Sequence, residues 1–149
     1  MIRVQKLSPI ATFAKAHPSD AGYDLTCCSL FYDKSSRLII AHFGIKVELS
    51  KLSWALVTLR SSTAIRGWRL ANSVGVVDTD FRGEWRALLE CHSAFSDEAL
   101  EDVARKELEG KRIAQAIVIP TVTRQFEVFF VDSLSETERG ERGFGSTGR

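Results

Sequence analysis

The stretch GVVDTDFRGEW, Gly75 to Trp85, decides how this chain is read. A β-branched run (Val74, Val76, Val77) leads into Asp78, Thr79 and Asp80. Phe81, Arg82 and Gly83 follow, and a second apolar run extends from Trp85 to Leu89. Two strand-like runs joined through a polar corner with a glycine predict a β-hairpin. The corner has unusual chemistry: two carboxylates, an aromatic ring and an arginine stand where a turn ordinarily holds Asn, Gly and Ser. If the strand continues through them, alternation puts Asp78 and Asp80 on one side. Like charges that close need water, a cation or a donor beside them. Turns also favour aspartate for its own sake, so this stretch alone does not settle a function.

Outward from the corner, short strands recur. Ile2 to Leu7 alternates; Pro18, Ser19, Asp20 and Gly22 mark a loop; strand character resumes from Tyr23 to Cys28. Leu38 to Leu49 predicts one or two strands with a break near His42 to Gly44. Trp54 to Leu59 is apolar nearly throughout and is expected to be buried on both faces, with RSSTAIRG after it as a polar turn. Ile113 to Pro120 and Gln125 to Val131 complete the series. Turn signals about every 8 to 12 residues are the mark of an all-β sandwich or barrel.

One segment breaks that rhythm. SDEALEDVARKELEG, Ser96 to Gly110, places Leu100, Ala104 and Leu108 on one helical face, with Ser96 as N-cap and Gly110 at the C-terminal cap. Glu101 with Arg105 and Asp102 with Lys106 are i,i+4 pairs worth a few tenths of a kcal/mol each. A short surface helix with a solvated charged face is expected. The C-terminus differs again: ERGERGFGSTGR, Glu138 to Arg149, sets four glycines around Phe144. Such a tail cannot fold unaided, because glycine loses the most entropy on ordering. A lone ring among glycines, arginines and hydroxyls also suits a clamp over a flat ligand, with Arg139, Ser146, Thr147 and backbone N–H groups for an anion.

Length and charge narrow the function classes. A domain of 149 residues buries roughly 70% of its unfolded surface, enough for a real core. Twenty Lys and Arg against nineteen Asp and Glu leave a formal charge of +1, which argues against stable nucleic-acid binding. No apolar run approaches the roughly 20 residues of a membrane span, and the N-terminus lacks a signal peptide's apolar core. Cys27, Cys28 and Cys91 are an odd count without zinc spacing. They are expected to be reduced strand residues, in a protein of the cytoplasm or nucleus.

Five stretches, in order, resemble the trimeric dUTP pyrophosphatases (dUTPases): AGYDL (Ala21–Leu25), RSSTA (Arg60–Ala64), GVVDTDFRGEW (Gly75–Trp85), GKRIAQAIVIP (Gly110–Pro120) and RGERGFGSTG (Arg139–Gly148). The resemblance implies an all-β, jelly-roll-like domain over residues 1–137, with a short helix near residues 97–109. Residues 138–149 would form a flexible arm closing over the site. It further implies a homotrimer with sites at subunit interfaces, and Mg²⁺-dependent conversion of dUTP and water to dUMP and pyrophosphate.

Residue by residue, the same resemblance implies that Asp78 orients and deprotonates the water attacking the α-phosphorus. An aspartate, with an ordinary pKa of about 4, is a modest base, so its value lies largely in holding the nucleophile in line. Asp24 would hold hydrated Mg²⁺. Arg60, Ser61 and Ser62 would cradle the phosphates, with Gln115 beside them. Arg139 would reach the γ-phosphate as an arginine finger does, and Phe144 would stack on uracil within Gly145, Ser146 and Thr147. Asn72 would hydrogen-bond the base, and Phe81, where many relatives carry tyrosine, would lie under the deoxyribose.

Several positions depart from the family pattern. Leu59 replaces a proline, Thr63 a glycine and Arg142 a tail glycine, and the Ser96–Glu109 segment exceeds the usual connection. RSS also resembles the dCTP deaminases of the same fold, whose catalytic glutamate would fall on Leu88, with Glu90 two residues later. A dUTPase-fold binding or regulatory module is the remaining alternative.

Overall fold

A computed structural model of the chain describes residues 1–93, 95–121 and 128–137. Among the described residues, ten strands and two helices follow one another as β1 (Arg3–Lys6), β2 (Tyr23–Thr26), β3 (Ser29–Asp33), β4 (Leu38–His42), β5 (Ile45–Glu48), β6 (Ser53–Leu59), α1 (Ser61–Ala64), β7 (Trp68–Leu70), β8 (Gly75–Val77), β9 (Arg86–Cys91), α2 (Asp97–Leu108) and β10 (Arg112–Pro120). They form two four-stranded sheets, ordered β2-β10-β6-β8 and β3-β4-β9-β7, and a two-stranded β1-β5 sheet. All pairings are antiparallel. This is an all-β sandwich of the jelly-roll kind.

Alternation explains how the sheets face each other. β3, β4 and β9 each bury every second residue, among them Leu30, Tyr32, Ile39, Ala41, Ala87 and Leu89, while β6 buries Ser53, Ala55 and Val57. These side chains join one continuous core with Trp68, Trp85, Phe43 and Ile113. β6 is therefore covered on one face, and Trp54 and Leu56, expected to be buried, are half-exposed. Their apolar character misled because an outer sheet face also accepts large apolar side chains.

The helix forms as its pattern dictates. Ser96 Oγ accepts from Ala99 N at 3.3 Å, and Leu100, Ala104 and Leu108 are buried in the core. Each buried leucine contributes on the order of 2 kcal/mol. Trp68 Nε1 donates to Glu107 Oε2 at 2.8 Å, which ties the helix to β7. Arg105 pairs with Glu101 at 2.7 Å and with Glu109 at 3.3 Å. Gly110, at φ +73°, turns the chain into β10, with its N–H on Cys27 O at 2.8 Å. Cys27 is buried, and burial first, with Glu109 and Cys28 adding to it, pushes its thiol up to about 12. All three cysteines are free thiols.

Four expectations are corrected. The Gly75–Trp85 stretch is no hairpin: β8 pairs with β6, whereas β9 pairs with β4 and β7 in the other sheet. Residues 78–85 thus carry the chain from one sheet to its partner. RSSTA is one helical turn, α1, not an irregular turn. Ser29–Asp33 and Trp68–Leu70 are strands that the pattern did not mark. Of the strand expected over 125–131, residues 125–127 lie outside the described residues, and Val128 to Val131 are exposed and in no strand.

Candidate active site

Two strand positions and the start of α1 meet in one cleft of about 260 Å³, which Asp24, Gln115, Arg60 and Ser61 line together. The sheet order brings them there. β10 lies between β2 and β6, so Gln115 stands opposite Asp24 on one side and Thr58 on the other. Directly opposed residues point to the same face, and Arg60 continues from the end of β6. Arg60 N donates to Ile113 O at 2.9 Å, which fixes the entry to α1.

The charges here are interlocked. Asp24 Oδ2 lies 3.0 Å from Arg60 Nη1 and 3.0 Å from Arg112 Nη1. Two guanidiniums on one oxygen hold that carboxylate in place and keep both cations at the cleft. Asp20 also lines it, with Oδ2 accepting from His17 N at 2.9 Å. Gly22 is required by contact: a Cβ there would sit 2.9 Å from Gln115 Oε1 and 3.1 Å from Gln115 Cβ. The glycine lets the glutamine amide lie flat against the loop.

Asn72, Asp78 and Phe81 line a second, larger cleft of about 490 Å³, together with Val76, Glu84 and Leu88. It shares no lining residue with the first. Its corner is tied down on both legs. Thr79 Oγ1 donates to Ser53 O at 2.7 Å, and the Arg82 guanidinium donates to Thr79 O at 2.8 Å and Phe81 O at 3.0 Å. On the exit leg, Trp85 N donates to Ile45 O at 3.0 Å, and Trp85 O accepts from Phe43 N at 3.1 Å. The Phe81 ring folds over Gly83, where a Cβ would meet its Cζ at 2.5 Å.

An aromatic ladder joins the two regions. Tyr23, beside Asp24, stacks on Phe13 at 4.5 Å, and Phe13 meets Trp85 edge-on at 5.8 Å. Contacts of this kind are worth about 0.5–1.5 kcal/mol each beyond burial.

The chain therefore brings Asp24, Arg60, Ser61 and Gln115 together, brings Asn72, Asp78 and Phe81 together, and keeps the two groups in separate clefts. Ser62 is exposed on α1 and does not line the first cleft; Asp80 does not line the second. Arg139, Phe144, Gly145, Ser146 and Thr147 lie outside the described residues. The departures at Leu59 and Thr63 cost no backbone strain: Leu59 ends β6 opposite Ala114, and among the described residues only Arg37 and Ser73 are non-glycines at positive φ. Arg112, Gly22 and Glu84 were not among the expected site residues. The only signal for Arg112 was its place in GKRIAQAIVIP.

Comparison with known proteins adds three findings. The family model dUTPase matches residues 8–148. The deoxyuridine 5'-triphosphate nucleotidohydrolase of Clostridium novyi is 38% identical over 135 residues, covering 90% of this chain and 88% of its own. That of Nautilia profundicola is 35% identical over 150 residues, covering 99% of both. Among solved structures, the Staphylococcus bacteriophage 80alpha dUTPase with dUPNHPP superposes with a TM-score of 0.73 at 22% identity, over 100% of this chain and 99% of that one. A mutant dUTPase from phage phi11 of S. aureus, described with a structural Mg(II) ion, gives 0.61 at 16% identity, over 93% and 97%. Those two likenesses show the fold.

Proposed function

The chain belongs to the dUTPase family, and from that membership we propose that it hydrolyses dUTP to dUMP and pyrophosphate through water attack on the α-phosphorus. The observation that carries this reading is the first cleft, where positions 24, 60, 61 and 115 of three separate motifs share one small polar space.

The roles follow from chemistry. Arg60 offers a planar guanidinium, and Ser61 and the Gln115 amide offer further donors, a set suited to phosphate oxygens. Ser62 adds a hydroxyl from the neighbouring position of the same turn. Across the larger cleft, Asn72 pairs with the uracil edge, and Phe81 packs under the deoxyribose. A ribose hydroxyl there would lose its water without gaining a partner. Asp78 orients the attacking water and takes its proton, which together with positioning supplies several powers of ten in rate. Arg139 and Phe144, with Gly145, Ser146 and Thr147, close the arm of residues 138–149 over the nucleotide; this part rests on the RGERGFGSTG match alone.

Because the phosphate residues and Asp78 line different clefts, a complete site needs two copies. The family resemblance makes that assembly a homotrimer, read here with one chain's first cleft facing a neighbour's second. A dry, closed site of this kind strengthens every charge interaction within it.

The donor set is consistent with Mg²⁺ arriving on the nucleotide. Among the described residues no three His, Cys, Asp or Glu side chains cluster as a cage, and Asp24 shares one oxygen between two arginines. Mg²⁺ keeps several waters and needs only one or two carboxylates beside substrate phosphates. Asp24 would hold the hydrated ion, which when bound neutralises phosphate charge.

The dCTP deaminase alternative is disfavoured at its own key position. Leu88 occupies the cleft there, and Glu90 sits apart from it with Arg69 at 3.6 Å. Product analysis with dUTP, dCTP, UTP and dTTP tests the reading. Pyrophosphate from dUTP alone is the expected result; ammonia from dCTP would establish the deaminase, and no turnover would leave a binding module.

A further inference from the structure

The exit leg of the corner carries a contact that the reaction chemistry above does not use. Glu84 Oε2 lies 2.8 Å from His42 Nδ1, and Glu84 Oε1 accepts from Gly44 N at 3.2 Å. Arg86 Nε approaches the same Oε2 at 3.5 Å. The His42 and Glu84 side chains are only 20% and 17% exposed, so this is a sheltered lock and not a solvated ion pair. It joins the β4–β5 break to the residue immediately after Gly83. Gly83 in turn is the floor on which the Phe81 ring rests, within a distance that leaves no room for a Cβ.

From this linkage we infer that Glu84, held by His42 and the Gly44 amide, is the positioning residue that sets the height of the Phe81 ring and thereby the discrimination between deoxyribose and ribose. The inference rests on the dUTPase reading of the cleft. The physical argument is one of leverage. Phe81 has two rotatable side-chain bonds and is 45% exposed, so among the described residues its ring is supported on one side and open on the other. The ring lies directly against the Gly83 backbone. That backbone is followed directly by a side chain with two hydrogen-bonded oxygens from another strand pair. Releasing Glu84 lets Gly83 drop or rise by a fraction of an ångström. A sugar hydroxyl is excluded or admitted on that scale.

Glu84 does not touch substrate in this account, so its effect must appear in selectivity rather than in chemistry. The test compares kcat/KM for dUTP and UTP in the wild-type protein, Glu84→Ala, Glu84→Gln and His42→Ala. Calorimetric binding of the non-hydrolysable α,β-imido analogues of both nucleotides runs alongside. Glu84→Ala is expected to lower the dUTP-to-UTP preference about tenfold, through KM more than kcat, a part of the roughly hundredfold by which a pocket rejects one added hydroxyl. Glu84→Gln keeps an oxygen to accept from Gly44 N and a polar amide nitrogen within reach of the His42 ring, and is expected to retain the preference within about threefold. His42→Ala removes one of the two anchors and is expected to fall between them, which keeps the test available if Glu84→Ala fails to fold.

An unchanged preference in Glu84→Ala and His42→Ala, with stability alone reduced, would overturn the inference. So would a Glu84→Gln variant as unselective as Glu84→Ala. A wild-type protein that turns over neither nucleotide would instead overturn the dUTPase reading, so the two failures are distinct.

Discussion

The two clefts hold their functional side chains by different means. In the first, Asp24 and Gln115 are opposed residues on paired strands, and Arg60 leaves the end of a third strand in the same sheet. In the second, Asp78 and Phe81 sit on a loop between sheets, held by single contacts such as Thr79 to Ser53 and Glu84 to His42. A sheet register fixes position through many hydrogen bonds at once, so losing one side chain leaves the others in place. A loop fixed at a few points transmits the loss of any one of them. On the proposed division of the nucleotide, the loop cleft that would take base and sugar is thus expected to be the tunable end, and the sheet cleft that would take phosphate the rigid one.

The largest expected effect breaks the loop cleft chemically without moving it. Asp78→Asn is expected to cut kcat by about a thousandfold or more while leaving analogue binding within a few-fold, as loss of a base and its positioning requires. Near-normal turnover would remove Asp78 from its role. Ending the chain before Arg139 is expected to lower kcat/KM by about a thousandfold, the lower end of what a lost arginine finger costs, with the melting temperature unchanged. A fully active shortened chain would remove the arm from the mechanism.

A pair of glycine substitutions sharpens the contrast. Gly22→Ala presses on Gln115 both at its amide oxygen, which can swing away, and at its Cβ, which cannot, and is expected to weaken phosphate binding about tenfold with sugar preference unchanged. Gly83→Ala presses on the far end of the Phe81 ring, which can move. It should cost little stability yet relax the dUTP-to-UTP preference. The reverse pattern would show that the clefts do not divide the nucleotide as described.

Acid provides a smaller test of the loop's anchor. Burial alone would raise the Glu84 pKa, but His42, the Gly44 N–H and Arg86 outweigh it and hold the carboxyl below the ordinary glutamate value of 4.5. A carboxylate whose folded pKa is depressed contributes stability above its unfolded pKa and loses it as pH falls through the folded value. Melting temperature should therefore drop more steeply below about pH 4.5 in the wild-type protein than in Glu84→Gln. Parallel curves would mean that the lock does not contribute to stability. The smallest effect belongs to α2, far from either cleft in its chemistry. Ser96→Ala is expected to cost about 1 kcal/mol, a few degrees in melting temperature, with kinetics unchanged.

Much of the fold was legible because its signals are local. The break at His42 to Gly44, the helix under Leu100, Ala104 and Leu108, and the strands at Arg3–Lys6 and Arg112–Pro120 follow from periodicity and caps within a few residues. What failed was non-local. Val76 and Leu89 each look like half of a hairpin, but their strands pair with partners elsewhere in the chain, and a short sequence does not encode a partner. The same reason hid the Glu84–His42 lock, whose members are 42 residues apart. The division into two clefts was likewise invisible, since five motifs in order say nothing about which of them meet within one chain.

On the proposed function, a working site draws Arg60 from one copy and Asp78 from another. Co-expressing differently tagged Arg60→Ala and Asp78→Asn chains, each nearly inactive alone, and isolating the mixed assemblies tests it directly. In a mixed trimer of either composition one interface of the three joins an intact Arg60 to an intact Asp78, so dUTP hydrolysis is expected to return to about one third of the wild-type level. Mixed assemblies that stay as inactive as their components would contradict it.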